Sequence, residues 1–335
     1  MASHVILTIF VHVFAAFSLI FCPLILSLGW LLPVEWCFWI AVTLLSASVS
    51  ALWMYRLQQP NDSQLEAFFG DSWPNRAVCH RGAAGDAPEN TLVAFREARK
   101  NGATFVEFDV ALTKDKAPVI FHDDTVDRTT DATGALKDLT LDEVLKLNAA
   151  AKDPLRDKFP HASIPTLEEA TVECLGLGMN IFFDVKDWST EMVNALTALF
   201  QRHTELYQKG MVCSFFPMLS YKIRRQDPAI LTALTTCTTT VQYGFGCDVT
   251  GPIWKRYPCI LADYLLVWCQ SAWLWILCGN AATLLDKKIV TEGTVDYWAQ
   301  RGIKTVVWTV NDNTEKEYFH KCLKCGIITD NVKSS

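Results

Sequence analysis

Several apolar runs between residues 77 and 186 end in groups that can hold a proton, a cation or an anion. Residues 104–112 read TFVEFDVAL, with Glu107 and Asp109 two positions apart. Side chains alternate faces along a strand, so this pair points one way, with Cα atoms about 6–7 Å apart. Two carboxylates that close among apolar neighbours repel unless a proton or a cation offsets the charge. Oxygen-only ligands suit a hard divalent cation, Mg²⁺ or Ca²⁺. The plainer alternative is a strand whose polar face lies in water. Residues 181–186, IFFDVK, set Asp184 and Lys186 on one face in the same way. They add a third acid and a cation suited to phosphate. Residues 77–80 and 117–122 are two more short apolar runs, ending in His80 and His122.

Something must bring these four ends together. Short apolar strands that each end in titratable residues are the pattern of an α/β fold, the (β/α)8 TIM-type barrel, whose active site lies at the C-terminal ends of parallel strands. The intervening sequence agrees. A helix is expected from about Asn90, as its N-cap, to Gly102, which suits a helix-ending glycine. Further helices are expected at 141–148, 166–175, 190–203 and 219–226, with strands at 211–215, 230–235, 304–310 and 327–329. Residues 289–291 are the weakest of nine candidate strands, where a barrel needs eight. The acidic stretch 123–134 lacks the spacing of an EF-hand and reads as an ordinary loop.

At these residues the chain resembles the glycerophosphodiester phosphodiesterase family. The resemblance rests on His80-Arg81-Gly82, Pro88-Glu89-Asn90-Thr91, Glu107-Phe108-Asp109, His122-Asp123, Asp184-Val185-Lys186, Trp308-Thr309-Val310-Asn311 and Gly326-Ile327-Ile328-Thr329-Asp330. These seven pieces stand in the family's order and cover about 75–330. The resemblance implies a phospholipase C-like phosphodiesterase barrel. It implies Glu107, Asp109 and Asp184 as ligands of one divalent cation, Mg²⁺ or Ca²⁺. His80 and His122 would be general acid and base, Arg81 and Lys186 would bind the phosphodiester, and Trp308 would pack against the glycerol or head-group side. The family's usual residue at Asp184 is Glu, a departure that bears on metal preference.

The 335-residue chain has room for one such barrel and an extra segment. A net charge of −6 argues against a nucleic-acid partner, which would meet a basic stripe. Residues 5–32 and 36–55 carry no charge, and either run is long enough to span a bilayer. They predict an integral membrane protein, with 1–57 as an anchor of one or two helices. Residues 58–76, polar with Pro60 and Pro74, read as a linker to a catalytic domain at 77–335. A cleaved signal peptide fits less well, because the first run is long and lacks a basic start. Arg56 alone favours a cytoplasmic position for residue 56 if there are two spans. The resemblance instead implies a lumenal or extracellular catalytic domain. Asn61-Asp62-Ser63 is a glycosylation sequon that agrees with it.

Between 235 and 289 the helix–strand rhythm lapses. The stretch 259–279 holds Trp268, Trp273 and Trp275 and one charge, Asp263. A single span here would place Glu107 and Trp308 on opposite sides of the bilayer. It therefore reads as a membrane-facing loop insertion at 238–288, lying on or dipping into the lipid. A buried barrel helix is the alternative. Cys322 and Cys325 lack a second pair for zinc, and Gly244-Phe-Gly246 lacks the third glycine of a dinucleotide loop.

The expected reaction is metal-dependent hydrolysis of glycerophosphodiesters, such as glycerophosphoinositol, to glycerol 3-phosphate and an alcohol. A lysophospholipase D acting on lysophospholipids or N-acyl glycerophosphoethanolamines is the sibling alternative, with a phospholipase C-like enzyme beside it. A catalytically silent membrane protein using the barrel as a binding module is the alternative of another class. The intact charged rim argues against that last reading, since a silent barrel has no physical need for one.

Overall fold

The computed structural model describes residues 33–70, 73–74, 76–244 and 252–332. The first apolar run, 5–32, lies outside the described residues, as do Phe245 and Gly246 of the glycine pair. The chain divides into two compact units, Met1–Gln59 with Cys237–Gly279, and Pro60–Thr236 with Asn280–Ser335.

The second unit is the barrel. Its strands are β1 (Val78–Cys79), β2 (Phe105–Leu112), β3 (Pro118–Ile120), β4 (Asn180–Val185), β5 (Gly210–Ser214), β6 (Leu231–Thr236), β7 (Ala282–Asp286), β8 (Lys304–Trp308) and β9 (Gly326–Thr329). Eight of them pair in parallel, in the order β1-β9-β8-β7-β6-β5-β4-β2, and the β1–β2 pairing closes the ring. Val78, Phe105, Phe182, Met211, Leu231, Ala282, Leu284, Val306 and Ile328 alternate inward and fill the barrel. Their neighbours, including Val106, Phe108, Ile181, Phe183 and Val212, face outward under the helices. Apolar residues on both faces explain why these strands read as nearly continuous hydrophobic runs.

Three expectations about strands are corrected. The run 117–122 is not a barrel strand: β3 is antiparallel to β2, with Val110 opposite Ile120 and Leu112 opposite Pro118. A short apolar run carries no sign of its direction. Residues 289–291 form no strand, since Lys287–Ile289 is a single 3₁₀ turn. The missing eighth strand is β7, which the sequence reading places inside the 238–288 insertion. Its apolar residues continue the Trp-rich composition, and the boundary signal is Gly279, which caps the preceding helix in the left-handed region at φ 59°.

The segment read as a linker also folds. Asn61 caps the helix Asp62–Phe69, its side chain accepting from the Gln64 backbone N–H. Leu65, Phe68 and Phe69 are buried in the barrel's inner cluster. The Phe68 ring lies 5.9 Å from Phe105 and 5.2 Å from Phe182, edge on. This helix closes the barrel floor, at the end opposite the carboxylates. Thr91, not Asn90, caps Leu92–Lys100, accepting from the Ala94 N–H.

The first unit contains the helix Val34–Tyr55 and a helical run from Ile253 to Cys278. The 259–279 stretch is thus helical and not a loop. Both helices are long and apolar enough to cross a membrane. Trp36, Phe38, Trp39, Trp53, Trp254 and Tyr257 are exposed on them. Buried Asp263 accepts from the backbone N–H groups of Val241 and Gln242 at 2.6 and 3.2 Å, so this lone charge secures the start of a short helix.

Candidate active site

β2 places Glu107 and Asp109 on its inward face, as the period of two requires, and both are buried. β4 runs beside it with Asp184 opposite Asp109, which brings in the third acid. One carboxylate oxygen from each of the three lies within 4.8 Å of the others. Burial, reinforced by Asp109's charge, pushes the Glu107 carboxyl up to about 8. Asp184 rises to about 6, through burial first, with Asp109 adding to it against the pull of Lys186. Asp109 is the exception: despite burial, Lys186, Arg81 and His122 hold it well below the usual range. Asp184 Oδ1 is buried without a hydrogen-bond partner. An orphaned acceptor among three crowded oxygens fits a divalent cation, which would offset the charge that otherwise raises Glu107 and Asp184.

Around this cluster stand the other expected residues. Arg81 occupies the left-handed region at φ 52°, and Gly82 follows at φ 82°. A Cβ on Gly82 would meet Ala94 and Phe95 at 2.8 Å, so the turn packs flush on the next helix. This turn lets the Arg81 N–H donate to Glu107 Oε2 at 2.8 Å, while its guanidinium Nε lies 3.4 Å from Asp109. Lys186 Nζ reaches Asp109 Oδ1 at 3.4 Å. Trp308, the last residue of β8, packs edge on against Phe215 at 5.6 Å.

The two histidines are held alike. His80 Nδ1 is 2.6 Å from Asp330, and His122 Nδ1 is 2.5 Å from Asp123. Each ring is thereby oriented with Nε2 left for other chemistry, and His122 Nε2 lies 4.0 Å from Asp109. The β2–β3 hairpin explains how His122 arrives. β2 overshoots the rim, turns at 113–117, and β3 returns until Phe121 N–H meets the Asp109 carbonyl at 3.0 Å. The surroundings push the two apart. Burial draws His80 down, but the Asp330 hydrogen bond and the Glu107 charge outweigh it, and the ring is more basic than usual. Burial, with Lys186 and Arg81 nearby, leaves His122 less basic than usual despite Asp109.

All eight expected residues therefore converge on one rim. Sequence reasoning assigned no role in the site to Asp330, Asn311, Asp123, Glu89, Asn90 or Arg128. Asn311 donates to Asp330 Oδ2 at 2.6 Å, and Asn90 donates to Asp109 Oδ2 at 2.9 Å. All but Arg128 sit inside the motif strings, which was the available signal.

Comparison with known proteins places this geometry. The model of the glycerophosphoryl diester phosphodiesterase family matches residues 80–334. Glycerophosphodiester phosphodiesterase 1 of Homo sapiens is 44% identical over 257 residues, covering 76% of this chain and 78% of that protein. The Mus musculus protein of that name is 45% identical over the same shares. A solved phosphodiesterase of Oleispira antarctica, in complex with the product sn-glycerol-3-phosphate, aligns with a TM-score of 0.62 at 22% identity, over 77% of this chain and 94% of its own. A Silicibacter pomeroyi structure gives 0.61 at 24% identity, over 80% and 94%. The solved structures share the barrel, and the animal proteins share sequence over 257 residues. The chain belongs to the glycerophosphoryl diester phosphodiesterase family and is an enzyme, a phosphoric diester hydrolase.

Proposed function

We propose that this enzyme hydrolyses water-soluble glycerophosphodiesters, such as glycerophosphoinositol, to glycerol 3-phosphate and an alcohol, at a membrane and with one divalent cation. Glu107, Asp109 and Asp184 would hold Mg²⁺ or Ca²⁺, which, when bound, neutralises phosphodiester oxygens and stabilises the charge that builds on them. Arg81 and Lys186, both fixed against Asp109, orient the phosphate from the other side. His122, the less basic ring, takes the proton of the nucleophile, either water or the substrate's glycerol 2-hydroxyl; in the second case a cyclic phosphate forms and water then opens it to glycerol 3-phosphate. His80, the more basic ring, gives a proton to the leaving alkoxide. Trp308 packs on the glycerol. The observation that carries this reading is the convergence of two buried carboxylates, a half-buried third and two Asp-tethered histidines on one barrel rim.

The two apolar helices of the first unit support membrane anchoring. Asn61 is exposed, which suits a glycosylated asparagine and a lumenal or extracellular catalytic domain. A second reading, hydrolysis of lysophospholipids, is favoured by the loops after β4 and β5. There Trp188 is 46% exposed, edge on against Phe216 at 4.7 Å, and Met218, at the start of the helix Pro217–Gln226, is 52% exposed. Such a surface suits an alkyl chain. The test is glycerol 3-phosphate release by detergent-purified protein from glycerophosphoinositol, beside a lysophospholipid. His122→Ala and His80→Ala should each lower kcat by about 10²-fold or more. Wild-type activity on neither substrate overturns the reading, and activity surviving both substitutions removes the histidines from it.

A further inference from the structure

Arg128 stands outside every motif, on the 123–134 loop, yet it makes four hydrogen bonds to two carboxylates of the rim. Its Nε and Nη2 donate to Asp123 at 2.6 and 3.2 Å. Its Nη1 and Nη2 donate to Glu89 at 2.9 and 2.6 Å. Each carboxylate has a second duty. Asp123 holds His122 Nδ1, and Glu89 Oε1 accepts from Arg81 Nη1 at 3.0 Å. Arg81 and His122 both face Asp109, so the six side chains form a closed ring.

The loop is built to hold this arginine. Val126 is fully buried and its N–H donates to the Gly134 carbonyl at 2.9 Å. The Leu136 N–H donates to the Asp124 carbonyl at 2.9 Å, and Thr130 Oγ1 donates to the Val126 carbonyl at 2.7 Å. An exposed ion pair usually contributes little, and the Arg128 side chain is 49% exposed. Four directed bonds from one planar fork are the exception, because they fix angle as well as distance.

We propose that Arg128 is a positioning residue that sets two reactive partners at once: the general base His122 through Asp123, and the phosphate-binding Arg81 through Glu89. By occupying both Glu89 oxygens, Arg128 leaves Arg81 only a single bond to that carboxylate. The rest of the Arg81 guanidinium then stays turned toward Asp109 and the substrate phosphate. This rests on the hydrolase reading above.

The experiment measures kcat and KM for glycerophosphoinositol in wild type, Arg128→Ala, Arg128→Lys, Asp123→Asn, Glu89→Gln and the doubles Arg128→Ala/Asp123→Asn and Arg128→Ala/Glu89→Gln. Arg96→Ala serves as control, since Arg96 makes an equally exposed pair with Glu173 between two helices. Arg128→Ala should lower kcat/KM by about 10–100-fold, the usual cost of losing an outer support of a reactive group. The loss should divide, with Asp123→Asn reproducing its kcat part and Glu89→Gln its KM part. Each double should fall within about threefold of its worse single, because the ring acts as a unit. Lys should not restore activity, since an ammonium cannot grip two carboxylates edge on. Arg128→Ala indistinguishable from Arg96→Ala, full rescue by Lys, or multiplicative doubles would each overturn the proposal. Those outcomes need an active wild type. An inactive wild type instead fails the hydrolase reading, and this role for Arg128 with it.

Discussion

The difference between the two histidines lies in what each faces. Arg81 acts on both rings, but His80 meets Asp330 and Glu107, whereas His122 faces Lys186 as well as Asp109 and Asp123. Asp330→Asn keeps the shape but removes the carboxylate that makes His80 more basic. The His80 proton is then lost at lower pH, so the alkaline limb of the kcat profile should move toward acid, and kcat should fall about 10²-fold. An alkaline limb left in place would assign that limb to another group. At this scale the sequence is informative where partners are near in the chain. Glu107 and Asp109 are legible together because strand period alone aligns them. Asp330 sits 250 positions from His80, and Arg128 is 39 from Glu89, so nothing local marks either as a partner.

Among the elements, period and punctuation were enough for most of the barrel. The helix expected at 166–175 is seen at Leu167–Gly176, where Thr166 and Glu169 form a capping box. Strand direction is not written locally, so β3 reads as a barrel strand in the sequence although it pairs antiparallel to β2. Likewise, no short-range pattern shows that Phe68 and Phe69 of a polar-flanked segment fill the barrel floor. Phe68→Ala removes a fully buried ring that touches Phe69, Phe105 and Phe182. It should cost about 3–5 kcal/mol of stability, read as a lower midpoint in thermal or denaturant unfolding. The carboxylates at the other end should keep their kcat. A loss below about 1 kcal/mol would mean that the floor closes without this helix.

For the whole molecule, a barrel is what turns scattered acids into one site. Closure of β1 onto β2 brings His80 and Arg81 beside Glu107 and Asp109, and β4 adds Asp184 and Lys186. The family and fold were legible from the order of the seven motifs. The extent of the insertion was not, because β7 is as apolar as the helix before it. Among the three crowded acids, Glu107 and Asp184 are pushed up to about 8 and about 6 while Asp109 stays ionised, so a cation bound there would displace protons from those two and bind more tightly as pH rises. The most direct measurement is calorimetric titration of chelator-stripped protein with Mg²⁺ and with Ca²⁺ between pH 6 and 8. Glycerol 3-phosphate release is followed on the same samples, with Glu107→Ala alongside. One cation per chain, bound more tightly at higher pH, restoring hydrolysis and lost in Glu107→Ala, is the expected result. Hydrolysis by stripped protein, or cation binding indifferent to Glu107→Ala, would contradict a metal site at these carboxylates.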